Sequence, residues 1–237
     1  MSTNRAELNG AVVLVTGANG GLGIEFVNQA LARGASKVYA TARNPKDWGD
    51  ERIVALRLDV TDPASVAAAA DAAGDVTVVI NNAGASTGAS LTDSDLSATR
   101  DLFETNFFGP LEVANAFAPV LARNGGGALL NVLSVLSWLA LGDTYSATKA
   151  AFWSASNTQR LAWTPQGTLV TSLYLGYTDT PMTVGVDAPK NDPADVVSAA
   201  YDGLAAGEFE VLADELSHQV KAGLAAPVSA LYPQLTA

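Results

Sequence analysis

Residues 12–23 read Val-Val-Leu-Val-Thr-Gly-Ala-Asn-Gly-Gly-Leu-Gly: an apolar run, a glycine-rich bend, then a helix start. A short β-branched run bounded by glycine is the pattern of a buried strand. Ile24, Val27 and Leu31 then recur at helical spacing before Gly34, predicting a helix over Ile24–Arg33 with those three on its buried face. A strand that turns through glycines into a helix points free backbone N–H groups and the positive helix end at one spot, which suits a phosphate. The glycines fall at 17, 21 and 23, giving T-G-x-x-x-G-x-G rather than G-x-G-x-x-G. Alone, such a bend could equally be a structural turn.

The rest of the chain repeats the strand-then-helix pattern. Short apolar runs at 37–41, 53–58, 76–80, 128–133, 169–175 and 209–212 predict six further strands. Asp62-Pro63 and Asp192-Pro193 each open a helix, with aspartate as cap and proline in the first turn. A long helix is expected over Ser94–Ala122, capped by Thr92 and bent at Gly109-Pro110, and another over Thr144–Trp163. Strands alternating with helices predict an α/β fold, a doubly wound parallel sheet of about seven strands with helices on both faces. Ligands of such sheets sit beyond the carboxyl ends of the strands.

Composition narrows the function. The 237 residues, without a linker-like stretch or repeat, read as a single domain large enough to bury a core. A net charge of −11 argues against nucleic acid, which needs a basic face. No apolar run reaches membrane-spanning length, Met1–Gly10 lacks the apolar core of a signal peptide, and there is no cysteine; a soluble cytoplasmic protein is expected. No metal site is expected. His218 is the only histidine, and the acidic residues form no close pair suited to hydrolysis.

The residues that carry chemistry fall at strand ends or on the following helices. They are Asn81-Asn82-Ala83-Gly84, Asn106, Ser134, and Tyr145-Ser146-Ala147-Thr148-Lys149. Tyr145 and Lys149, four apart on a helix, share one face. A free phenol titrates at about 10. A neighbouring ammonium is expected to lower that value and make the pair an acid–base device for an alcohol oxygen.

With the glycine bend, this set closely resembles the short-chain dehydrogenase/reductase family over nearly the whole chain. The resemblance implies a hydride transfer between a nicotinamide dinucleotide and a ketone, aldehyde or secondary alcohol. Tyr145 would then be the proton donor in carbonyl reduction and the base in alcohol oxidation, Tyr145 and Lys149 would both also contact the cofactor, Lys149 at the nicotinamide ribose, and Ser134 would hydrogen-bond the substrate oxygen. Asn106 would hold the helix bend and a water path toward Lys149. Ser134 stands 11 residues before Tyr145, slightly short for the family, and implies a trimmed loop over 139–144. Ser137 is the other candidate, expected instead at the pocket edge or in solvent.

Further cofactor contacts follow by position. Gly17, Asn19, Gly21, Leu22 and Gly23 would line the phosphates. Asp59 and Val60 would meet the adenine edge. Asn82, Ala83 and Gly84 would follow the fourth strand, with Asn82 bracing it. Gly176, Thr178 and Thr180 match the family's P-G-x-x-x-T, here with Leu175 in place of proline. Strand two ends Thr41-Ala42-Arg43, with alanine where an NAD-type aspartate would stand and arginine next; this favours NADP(H) over NAD(H). The neutral Ala18-Asn19-Gly20 lacks a second basic residue, so an NAD-dependent alcohol dehydrogenase stays open. A non-catalytic dinucleotide sensor, which has no need for all four of Asn106, Ser134, Tyr145 and Lys149, and a lyase or epimerase, which would need a different base or a changed tyrosine, are the other readings.

Leu136, Trp138, Leu141, Tyr177 and Met182 would form an apolar substrate wall, open because the segment 180–191 is short. A hydrophobic or aryl carbonyl follows. The resemblance also implies a homodimer or homotetramer through the helices at 94–122 and 144–163. Phe107, Phe108, Phe117, Phe152 and Trp153 are candidates for that contact, or for core.

Overall fold

A computed structural model describes residues 5–92, 95–141 and 143–235 of the chain. Seven strands form one sheet in the order β3-β2-β1-β4-β5-β6-β7. They are β1 Val12–Thr16, β2 Lys37–Ala42, β3 Ile53–Arg57, β4 Val78–Asn81, β5 Ala128–Val132, β6 Leu169–Tyr174 and β7 Glu210–Leu212. Every neighbouring pair is parallel. The order reverses between β1 and β4, so a crevice opens there at the carboxyl ends of the strands.

Side-chain alternation along the strands sorts the helices onto two faces. Val13 and Val15 of β1, Val78 and Ile80 of β4, and Ala128 and Leu130 of β5 pack with Phe26, Val27, Val197, Tyr201 and Leu204. These belong to α1 (Leu22–Ala32) and α6 (Pro193–Ala206). Leu14, Val79 and Leu129 point the other way, onto Val66, Ala69, Val113, Phe117 and Leu121. Those lie on α2 (Pro63–Ala72) and α4 (Gly109–Arg123). The fully buried residues of α1 are Gly23, Phe26, Val27 and Ala30; of the predicted face, Val27 is among them, Leu31 packs half-buried on the same core, and Ile24 is half-buried. Phe26 packs edge-on against Tyr201, whose hydroxyl donates to the Phe26 carbonyl at 2.7 Å.

The predicted long helix is three pieces. α3 (Ser97–Phe103) passes through a π-helical turn, Glu104–Phe108, into α4. Ser94 lies outside the described residues. Thr92 is not the cap; the chain enters α3 from Leu96, with Asp95 accepting from Ser97 N at 2.9 Å. α5 spans Thr144–Trp163 as predicted, capped by Asp143. Phe117 and Phe152 are buried core (0% and 1% exposed), so neither is available for a subunit contact; Phe108 is 48% exposed. After β7 come α7 (Glu215–Gly223) and the short α8 (Val228–Leu231). Among the described residues no helix is long and apolar enough to cross a membrane.

Candidate active site

The site grows from the ends of β1, β4, β5 and β6. At β1, Gly17 and Gly21 adopt φ of +66° and +52°, which side chains disfavour. A Cβ on Gly23 would strike the Gly17 carbonyl and come 2.8 Å from Ala18 Cα, so only glycine lets α1 start this close to the turn. Gly21 caps α1 without any side-chain hydrogen bond to its first N–H groups. By contrast Asp62, Asp143, Asp192 and Asp214 cap α2, α5, α6 and α7 with their carboxylates. A side-chain-free cradle at the positive end of α1 fits the phosphates of a dinucleotide. Leu22 is half-buried at the first turn. Asn19 donates to the Asn44 carbonyl at 2.7 Å and ties the bend to the loop after β2.

The β4 end locks onto the same bend. Asn82 N and Ala83 N both donate to Thr16 Oγ1, at 3.0 and 2.9 Å, and Asn82 Nδ2 donates to Thr16 O at 2.9 Å. Asn82 thus braces β1 against β4. Gly84 leaves room beside it: a Cβ there would lie 3.5 Å from Asn106 Oδ1 and 3.9 Å from Lys149 Nζ.

Asn106 sits inside the π-helical turn and is 1% exposed. Its Oδ1 accepts from Ala85 N and its Nδ2 donates to Ala85 O, both at 2.9 Å. Nδ2 also reaches Thr148 Oγ1 at 3.2 Å. One amide therefore fastens the loop after β4 to α5 beside Lys149. The break in regular α-helix, predicted at Gly109-Pro110, is this turn, which ends at Phe108, and Gly109 is needed because a Cβ would meet Val60 Cγ2 at 2.9 Å.

Ser134 follows β5 and caps the 3-10 turn Val135–Ser137, accepting from Leu136 N at 3.1 Å. Its Oγ donates to Leu175 O at 3.3 Å. Ser137 is buried (4% exposed), with no hydrogen-bond partner for its Oγ, so it is neither at a pocket edge nor in solvent. The Lys149 ammonium lies 5.5 Å from the Tyr145 ring centre and donates to Val132 O at 2.9 Å. The expected lowering of the phenol by this lysine is not what dominates. Burial raises the Tyr145 hydroxyl above the usual phenol range, the nearby Asp143 carboxylate raises it further, and the neighbouring Ser134 hydroxyl opposes both. Burial lowers the lysine to about 8.

Other predicted residues are placed as follows. Arg43 is exposed at the end of β2, and its charge helps hold Asp59 below the usual carboxylate range, after the larger effect of hydrogen bonds from Thr61. Val60 packs on Gly109. Thr180 caps the 3-10 turn Pro181–Thr183, and its Cβ lies 3.5 Å from where a Gly21 Cβ would be. Leu136 is half-buried, while Leu141, Tyr177 and Met182 are 55%, 37% and 48% exposed. The Trp138 ring instead stacks on Tyr174 with centroids 4.1 Å apart, beneath Lys221. Its face is taken by packing.

Two polar groups escaped the sequence reading. Asn131, fully buried in β5, donates to Ser156 Oγ and Gln159 Oε1 of α5 at 2.9 Å and accepts from Asn81 Nδ2 at 3.1 Å. It fixes α5 to the sheet below Lys149. Asp214 gathers donors from three segments. Asp143 could have been read locally, by the same cap pattern as Asp62.

The sequence profile of the family described as short chain dehydrogenase matches residues 11–191. This chain belongs to the short-chain dehydrogenase/reductase family. An uncharacterized oxidoreductase of Staphylococcus haemolyticus is 31% identical over 209 residues, 81% of this chain and 90% of the relative. The ketoacyl reductase HetN of a Nostoc species is 28% identical over 232 residues, covering 88% and 80%. A short chain dehydrogenase from Burkholderia cenocepacia J2315, solved in complex with NADP, superposes with a TM-score of 0.91 at 37% identity, covering 98% of this chain and 100% of that one. The short-chain dehydrogenase/reductase protein described here is thus an oxidoreductase with the fold expected of it.

Proposed function

We propose that this oxidoreductase reduces a hydrophobic or aryl ketone or aldehyde with NADPH, or oxidises the corresponding secondary alcohol. The observation that carries the reading is the Lys149 ammonium held on Val132 O at 2.9 Å, 5.5 Å from the Tyr145 ring centre, at the carboxyl end of β5 where Ser134 begins the next turn. When bound, the nicotinamide supplies or accepts the hydride. Tyr145, kept protonated by burial, is poised to give its proton to a carbonyl oxygen. Ser134 donates to the same oxygen as negative charge develops on it. Lys149 holds the ribose hydroxyls and places a cation behind the phenol, and Asn106 fixes the α5 turn that carries both.

Gly17, Asn19, Gly21, Leu22 and Gly23 cradle the phosphates, and Asp59 with Val60 flanks the adenine. Asn82, Ala83 and Gly84 form the floor, and Gly176, Thr178 and Thr180 meet the nicotinamide amide. The exposed Arg43, with no acidic residue at its strand end, supports NADPH, as does the NADP bound to the Burkholderia relative. The name of the Nostoc relative supports carbonyl reduction. The exposed Leu141, Tyr177 and Met182 support an apolar substrate that enters an open mouth. The exposed Phe108 on the π-helical turn before α4 and Leu161 on α5 (80% exposed) support a dimer or tetramer.

The test is NADPH and NADH oxidation, followed by absorbance, over aryl and alkyl ketones and aldehydes. Turnover favouring NADPH is expected. Turnover favouring NADH would keep the chemistry and overturn the role of Arg43. Cofactor binding without turnover on any carbonyl or alcohol would favour the sensor reading.

A further inference from the structure

Asp214 stands between β7 and α7 and belongs to none of the motifs above. Its Oδ2 accepts from Gly176 N at 2.5 Å and from Asn191 Nδ2 at 2.7 Å, while Oδ1 accepts from Ser217 N at 2.7 Å. The last of these is an ordinary helix cap. Asp62 and Asp192 make such caps through Oδ1 to Ala64 N and Ala194 N. Asp214 adds a second oxygen, directed at two other segments.

Gly176 and Asn191 bracket residues 177–190, and the two ends of that loop also pair with each other. Asn191 N donates to Tyr177 O at 2.8 Å, and Asp179 N donates to Asn191 O at 3.0 Å. The loop is closed at its neck, with a carboxylate across the closure. From the neck inward, Thr178 Oγ1 donates to Gly176 O at 3.3 Å and Thr183 Oγ1 donates to Thr178 O at 2.6 Å. This chain of bonds ends at Thr180, beside Gly21. Burial of Asp214 favours its neutral form, but hydrogen bonds from Gly176, Ser217 and Asn191 outweigh it and keep the carboxyl below its ordinary value. An ionised acceptor bound by this many N–H groups makes bonds about twice as strong as neutral ones.

We propose that Asp214 is a positioning residue: it clamps the neck of the 177–190 loop and so holds Thr178 and Thr180 against the glycine bend. The cofactor-binding half of this rests on the reading above, which puts the nicotinamide end of the dinucleotide at Thr178 and Thr180. The clamp itself is a property of the ligand-free chain.

Two readouts test it, on Asp214→Ala and on the near-isosteric Asp214→Asn, with Asp62→Ala as the control that removes a helix cap far from the loop. Lys190 is the single trypsin site within the loop, so its cleavage in ligand-free protein reports opening of the neck. Both Asp214 variants should be cut there faster by about tenfold, and the control at the wild-type rate. The second readout is affinity for NADPH against adenosine 2′,5′-bisphosphate, which lacks the nicotinamide half. The NADPH Kd should rise by about tenfold and the bisphosphate Kd stay within about twofold.

Wild-type cleavage in Asp214→Asn, or equal weakening of both ligands, would overturn the proposal. The two failures are distinguishable. Wild-type protein that binds neither ligand sinks the cofactor reading, whereas an unclamped loop is judged on the variants without any cofactor.

Discussion

The two ends of the site are built by opposite means. The glycine bend works by what it lacks. Gly23 has no Cβ to strike Gly17, Gly21 brings no side chain to the start of α1, and the fastening groups come from Thr16, Asn82 and Ala83 next door. The α5 end works by what it buries. Asn106, Thr148, Lys149, Asn131 and Ser156 are each 5% exposed or less and form bonded sets that fix the stretch of α5 carrying Tyr145, whose carbonyl accepts from Thr148 Oγ1. Backbone N–H groups suit a ligand whose phosphates are bound alike in both redox states. Buried side chains with displaced pKa values suit a step in which a proton moves. The difference teaches a division of labour: the bend should govern affinity, and α5 should govern rate.

Four sets of variants can break or sharpen this contrast. Tyr145→Phe should lower kcat of carbonyl reduction by about a thousandfold, measured by NADPH consumption, because it removes the hydroxyl that supplies the proton. Lys149→Met should lower kcat/KM by roughly a hundredfold. The same change should stabilise the ligand-free protein, since burial lowers this lysine to about 8. The sign follows from linkage: between pH 8 and 10.5 the unfolded chain binds the proton that the folded chain has lost, so wild-type stability rises with pH in that window. The gain in Tm should therefore be largest below pH 8, at roughly 2–5 °C, and shrink toward pH 10.5. Thermal melts at pH 6.5 and 9.5 decide it. A Tm gain that does not change with pH would contradict the buried charge.

Gly23→Ala should cost about 2–3 kcal/mol, or roughly 5–10 °C in Tm, and weaken NADPH binding, because its Cβ has no space. Gly20→Ala, three residues away with nothing within 4 Å of the added carbon, should change stability by less than about 0.5 kcal/mol. Equal effects at the two positions would break the account of the bend. Arg43→Ala should reduce the preference for NADPH over NADH by about tenfold and leave kcat nearly unchanged, read from the two kcat/KM values.

Much of this was legible in the sequence where the cause is local. The strand and helix order, the Asp-Pro helix starts and the limits of α5 follow from periodicity and caps within a few residues. The central place of Phe26 on the buried face of α1 has no local signal, because its partner Tyr201 lies 175 residues away. The π-helical turn around Asn106 depends on Ala85 and Thr148, 21 and 42 residues away. Asp214 meets Gly176 across 38 residues. The raised Tyr145 was missed for a related reason: a lysine four residues on is visible in sequence, but the burial that outweighs it is a property of the packed site.

The measurement that tests the division of labour most directly is NADPH binding to Tyr145→Phe, by titration of intrinsic fluorescence. The account predicts a Kd within about twofold of wild type in a protein that no longer turns over. A Kd that rises in step with the lost turnover would contradict it, and would make holding the cofactor the main role of Tyr145.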